Sequence, residues 1–187
     1  MAGQRLTDKA SITQQVGSGD LLMVVDVSDT TGSAQGTSKQ MDFKYLLQTD
    51  KISISNAELQ ALDSSPKTLV GALSGYMITV SNIAVLCTYA SSTESAAKSM
   101  YFGYDSSVTS NYWTRFRQIM NGSTDDLVFC SGPLPPSGGT DTSSIINKPF
   151  IVWADGAFNG GWTADVYVTY CYTKIIWLNI YFYYYLF

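Results

Sequence analysis

Residues able to do chemistry are few in this chain, and the main fact about them is an absence: there is no histidine. That removes Ser-His-Asp and Cys-His nucleophile systems, HExxH zinc sites and the usual near-neutral proton shuttle. Carboxylate pairs remain. Asp125 and Asp126 are adjacent, Asp26 and Asp29 lie three apart, and two carboxyl groups held roughly 5–9 Å apart can cleave a glycosidic bond. A carboxylate-based glycan hydrolase is thus the remote enzymatic alternative. Each pair also has a turn chemistry that explains it without catalysis. Asp125 and Asp126 follow Asn121-Gly122 as a solvated turn, and Asp26-Val27-Ser28-Asp29 suits Asx turns. Calcium is disfavoured there because an Asp/Asn-rich loop with Gly at its sixth position is missing. The expectation is a protein that is not an enzyme and carries no cofactor and no metal.

Side chains suited to binding are more plentiful. Arg115 and Arg117 are spaced to share one strand face, for a neighbouring subunit's carboxylates, an acidic glycan or a surface ion pair. Trp113, Trp153 and Trp162 offer flat rings to sugars or bulk to a core, and Trp162 follows Gly160-Gly161 in a turn where a ring can be exposed. Trp162 is therefore the candidate glycan contact. Cys87, Cys130 and Cys171 form an odd set without CxxC spacing, which points to buried thiols over a disulfide framework or zinc. Asn121-Gly122-Ser123 matches a glycosylation sequon but is taken as a turn.

Composition bounds what must position these residues. The chain has 187 residues, 45% hydrophobic and 14% charged, with 13 tyrosines, enough for a packed domain that is mainly β. Its net charge is -4 and its basic residues are scattered, so no nucleic-acid partner is expected. The first residues lack the apolar core of a signal peptide, implying synthesis and folding in a cytoplasm. The apolar run from Ile175 to Phe187 is shorter than the roughly 20 residues of a spanning helix and favours strand, so no membrane span is expected.

Residues 1–50 form an N-terminal arm and attachment module, and residues 51–187 a jelly-roll-like β-sandwich. In the module, Leu21 to Val25 is a strand and Lys39 to Met41 pairs back to it. Asp42 caps a helix from Phe43 to Gln48, and Thr49 to Ser53 is a connector. This small α+β module is hardly stable alone; Asp20, Asp26 and Lys39 are its candidate attachment residues. In the sandwich, Ser55-Asn56-Ala57-Glu58 has capping-box spacing for a brief helix ending before Pro66. Strands come next at Thr68 to Ala72, at Met77 to Cys87 with one unbroken alternation, and at Met100 to Tyr104. Further strands fall at Tyr112 to Met120, Asp126 to Cys130, Phe150 to Trp153 and Asp165 to Thr173. Pro133, Pro135 and Pro136 make Ser131 to Ser144 an exposed loop.

The final strand and the C-terminal residues after it want more cover than one small domain supplies. Val166, Val168, Tyr170 and Tyr172 share one face, and the chain carries no charged residue after Lys174. Such an apolar edge calls for another subunit or partner. Ile175, Trp177, Ile180, Tyr183 and Phe187 are the candidate contacts within a trimer or against a shell.

Two stretches carry a family resemblance. GDLLMVVDVSDTTGSAQGTSKQMDFKYLL (Gly19 to Leu47) is similar to the short N-terminal modules of bacteriophage tail-fibre and appendage proteins. ISNAELQALDSSPKTLVGALSGYMITVSNIAVLCTY (Ile54 to Tyr89), with NKPFIVWADGAFNGGWTADVYVTYCY (Asn147 to Tyr172), resembles small phage virion proteins whose jelly-roll-like domains assemble as trimers. The resemblance implies a structural virion component assembled in a bacterial host's cytoplasm: a homotrimeric head fibre, decoration protein or appendage subunit. Its implied partners are other virion proteins, whether capsid, portal/neck or fibre-base. A receptor- or glycan-binding adhesin using the Pro133 to Ser144 loop and Trp162 is the alternative, with host-surface glycan as ligand.

Overall fold

The computed structural model describes residues 21–42, 46–104, 112–132 and 144–174. The chain divides into two compact units, Met1–Gln48 and Thr49–Phe187.

In the first unit, β1 (Leu21–Asp26) and β2 (Thr37–Asp42) pair antiparallel, from Leu21 opposite Asp42 to Asp26 opposite Thr37. The loop between them is built by its side chains. Asp26 Oδ1 accepts from the Ser28 amide at 3.0 Å and Asp29 Oδ1 from the Thr31 amide at 3.0 Å, two successive Asx turns of the kind the Asp spacing predicts. Gly36 closes the loop at φ +113°, where a Cβ would lie 2.7 Å from the Asp26 carbonyl oxygen, so only glycine fits. The expected helix from Phe43 to Gln48 needs correction. Residues 43–45 lie outside the described residues, Leu46 and Leu47 are not helical, and Gln48 already begins a strand.

The second unit is mainly β, two four-stranded antiparallel sheets forming a sandwich. Its strands are β3 (Gln48–Ile54), β4 (Lys67–Val70), β5 (Tyr76–Tyr89), β6 (Met100–Gly103), β7 (Tyr112–Phe116), β8 (Leu127–Ser131), β9 (Phe150–Ala154) and β10 (Trp162–Lys174). One sheet has the order β3-β10-β5-β8 and the other β4-β9-β6-β7. The expected connector at Thr49 to Ser53 is thus an edge strand. Side-chain bonds fasten it to β10: Thr49 to Thr169 at 2.8 Å, and Ser53 Oγ donating to Asp165 at 2.6 Å. With only Ile52 and Ile54 as apolar residues, the strand shows little in sequence.

The core lies between the sheets. Val85, Val152, Val166 and Phe102 have no exposure, and side chains from both sheets join one cluster. On β10 the alternation holds as expected: Ala164, Val166, Val168 and Tyr170 are buried, with half-buried residues between them. On β5 it does not. Ile78 and Val80 are buried, then Ile83, Val85 and Cys87, so the inward face switches parity. The cause is a bulge. Asn82 pairs with Thr169 and Val80 with Tyr170, leaving Ser81 as an extra residue that inverts every side chain beyond it.

The short helix α1 (Asn56–Gln60) starts on the capping box the sequence predicts. The Ser55 amide donates to Glu58 Oε2 at 2.8 Å, while the Glu58 amide donates to Ser55 Oγ at 3.4 Å. The helix turns Leu59 inward, and Leu62 just beyond it is also buried. β7 stops at Phe116, because Gln118 (φ +48°) and Met120 (φ +66°) adopt left-handed backbone that no strand continues. Of the cysteines, Cys87 is buried, Cys171 half-buried and Cys130 exposed, so burial of all three is corrected: Cys130 faces outward on the edge strand β8.

Candidate functional site

In the hairpin the predicted attachment residues Asp26 and Lys39 do come together, but on each other. Lys39 Nζ lies 2.9 Å from Asp26 Oδ2 and 2.9 Å from Asp29 Oδ2. The bonds to Lys39 first, and those to the Ser28 and Thr31 hydroxyls and amides next, hold the two carboxyl groups below the usual range. Lys39 is raised in turn by Asp26 and then Asp29. These charges shape the loop. The apolar residues of the same ribbon are bare: Met23 is 74% exposed, Val25 59% and Val27 75%. Asp20 lies outside the described residues.

On the sandwich, the outer face of the second sheet carries a row of rings across three strands. Met100 and Phe102 point into the core, so Tyr101 between them points out, opposite Arg115 on one side and Trp153 on the other. Tyr101 stacks on Trp153 at 5.7 Å and meets Tyr112 edge-on at 5.2 Å. The Arg115 guanidinium sits 5.3 Å from the Tyr112 ring centre. Arg115 therefore takes aromatic faces in place of the expected carboxylate partner. Arg117 is exposed beyond the end of β7, so the two arginines do not share a strand. Trp113 packs partly buried against the core.

Trp162 is a correction. Its ring is 1% exposed and meets Tyr89 edge-on at 5.2 Å, so it offers no platform to a sugar. The Gly160-Gly161 pair serves close packing: a Cβ on Gly161 would fall 2.0 Å from Ser91 Oγ. The Gly161 amide donates to the Ser92 carbonyl at 2.9 Å, and the Ala90 amide to the Gly161 carbonyl at 2.9 Å. Between those segments lies a residue the sequence did not single out. Glu94 is fully buried; Oε1 accepts from the Ala96 amide at 2.6 Å, and Oε2 from the amides of Asn159 and Gly160 at 2.8 and 2.9 Å. Its own carbonyl accepts from the Gly122 amide at 2.8 Å. One side chain thus ties two loops together and its backbone brings in a third. A Glu within Ser-Ser-Thr-Glu-Ser looks solvated in sequence, and no spacing marks it otherwise.

The carboxylates do not assemble a hydrolytic pair among the described residues. Asp125 and Asp126 are exposed in a turn, as expected, where the Ser123 hydroxyl accepts from the Asp125 amide and Asp126 accepts from the Tyr89 amide at 2.8 Å. An open groove of about 400 Å³ runs between α1 and β4, lined by Ala57, Glu58, Ala61, Pro66 and Lys67 among others. Its charged groups are occupied. Lys67 Nζ lies 2.5 Å from Glu58 Oε1 and donates to the Ser53 carbonyl at 3.0 Å. The Lys67 bond first, then those from Ser55, hold Glu58 at about 2. Among the described residues no group of three or more Cys, Asp or Glu is placed to hold a metal ion. Among them, too, no helix is long and apolar enough to cross a membrane.

The candidate trimer or shell contacts Ile175, Trp177, Ile180, Tyr183 and Phe187 lie outside the described residues. So does the Pro133 to Ser144 loop, except for its last residue. Compared with known proteins, the chain matches no protein-family model and no curated protein.

Proposed function

We propose that the chain is a structural subunit of a bacteriophage particle, a homotrimeric head fibre, decoration or appendage protein fastened through its N-terminal region to another virion protein. Its sandwich is read as a jelly roll. Counting from β3, the strands stand first-eighth-third-sixth in one sheet and second-seventh-fourth-fifth in the other, the doubled Greek-key winding of that architecture. The observation that carries the proposal is the N-terminal hairpin, a two-stranded ribbon whose charges are satisfied internally and whose apolar side chains stand in solvent. Such a ribbon is marginal alone and fits a segment made to be covered. The work it performs is adhesion: each Å² of apolar surface covered contributes about 25 cal/mol.

The glycan-binding alternative loses Trp162, whose ring is enclosed, and is not carried further. Immunogold labelling of intact particles with antibodies to the sandwich tests the proposal. Label at fixed positions on every particle is the expected result; a chain present in host lysate and never on particles removes it.

A further inference from the structure

We infer that the bare face of the hairpin is where copies of this chain meet one another, their ribbons packed about a common axis. Strand alternation puts Met23 and Val25 on one face of β1, opposite Gln40 and Ser38 on β2, with Val27 next in line. Met23, Val25, Ser38 and Gln40 are all exposed, and the face carries no charge. The other face holds Leu22, Val24 and Met41 with the Asp26–Lys39 pair, and there Val24 and Met41 are half-buried. Only the first face is both apolar and uncovered.

Its charge and its size select the occupant. An uncharged face can meet a copy of itself with no like charges opposed and no ion left without water. A ribbon about 20 Å long and 10 Å wide falls well short of the roughly 800 Å² per partner of a self-sufficient interface. A small patch therefore holds a partner only when that partner is tethered nearby. Other contacts between the same chains do that by raising its effective concentration. This rests on the trimer proposed above. Copies of this chain meet both conditions, whereas a foreign virion protein reaching this face alone meets neither.

The test uses the full-length chain with Cys130→Ser and Cys171→Ser as background, so that the accessible thiols are removed. Val25→Cys is added in one protein and Gln35→Cys, in the exposed loop, in another. Each is treated with a short bifunctional maleimide, and its native mass is measured. A trimer in which Val25→Cys gives covalent dimers, while Gln35→Cys and the background do not, is the expected result. Val25→Asp should then weaken the trimer about tenfold or more in dissociation constant. A trimer in which Val25→Cys links no better than Gln35→Cys overturns this inference and leaves the trimer standing. A monomer overturns both.

Discussion

The hairpin and the sandwich use the same residue types to opposite ends. Val25 on β1 is 59% exposed, while Val166 on β10 has no exposure, and each sits on an antiparallel strand with partners in register. The difference is the layer beneath. In the sandwich a second sheet meets the inward face; among the described residues of the hairpin nothing covers the Met23–Val25 face. Charges follow the same division. Asp26, Asp29 and Lys39 shape an exposed loop, whereas Glu94 holds buried loops together through backbone donors. Strand pattern shows where a sheet is, and the number of layers decides whether it is complete.

The largest effect should come from Glu94. Glu94→Ala leaves the buried amides of Ala96, Asn159 and Gly160 without their acceptor, and should destabilise the sandwich by about 3–5 kcal/mol in urea unfolding. Glu94→Gln keeps one acceptor oxygen and should fall between that variant and the parent. A loss under about 0.5 kcal/mol would show that water replaces the carboxylate and that these loops need no fastener.

Gly161→Ala comes next. Its methyl would press on Ser91 Oγ and lie 3.0 Å from the Ser92 amide nitrogen, for an expected cost of about 1–3 kcal/mol. In the hairpin, Gly36→Ala should speed amide exchange between Leu21 and Asp42, because the residue must hold φ +113° against the Asp26 carbonyl. Unchanged exchange there would mean the loop tolerates another conformation.

Thiol chemistry and acid give smaller, sharper readouts. Burial pushes the Cys87 thiol up to about 12, so a thiol reagent should modify Cys130 rapidly, Cys171 more slowly and Cys87 only on unfolding. Asp26 and Asp29 are depressed below 3.8 in the folded hairpin, so what they add to the loop is fully present above that value. It is lost as pH falls through the lowered folded values. The Ser28 and Thr31 amide resonances should stay fixed from about pH 5 to pH 9 and move only under strong acid.

Much of the sandwich was legible because its signals are local. The Ser55–Glu58 box, the β10 alternation and the prolines and glycines between strands each act within a few residues. What stayed hidden depends on partners distant in sequence. β3 is a strand because β10 lies beside it, and the Ser81 bulge shows only against Thr169 and Tyr170. Glu94 is buried only because the loop carrying Asn159 and Gly160 folds over it. The same holds for Trp162: a Gly-Gly pair signals close approach or exposure equally well, and here the contact with Ser91 and Ser92 decides for close approach.

The central claim, that this chain is a building unit which other copies complete, is tested most directly by sedimentation of the untagged full-length protein at about micromolar concentration, where assembly follows mass action. A single species at three times the chain mass, unchanged on tenfold dilution, is the predicted result. A stable single-chain species across that range, with Met23 and Val25 shielded inside it, would contradict the account.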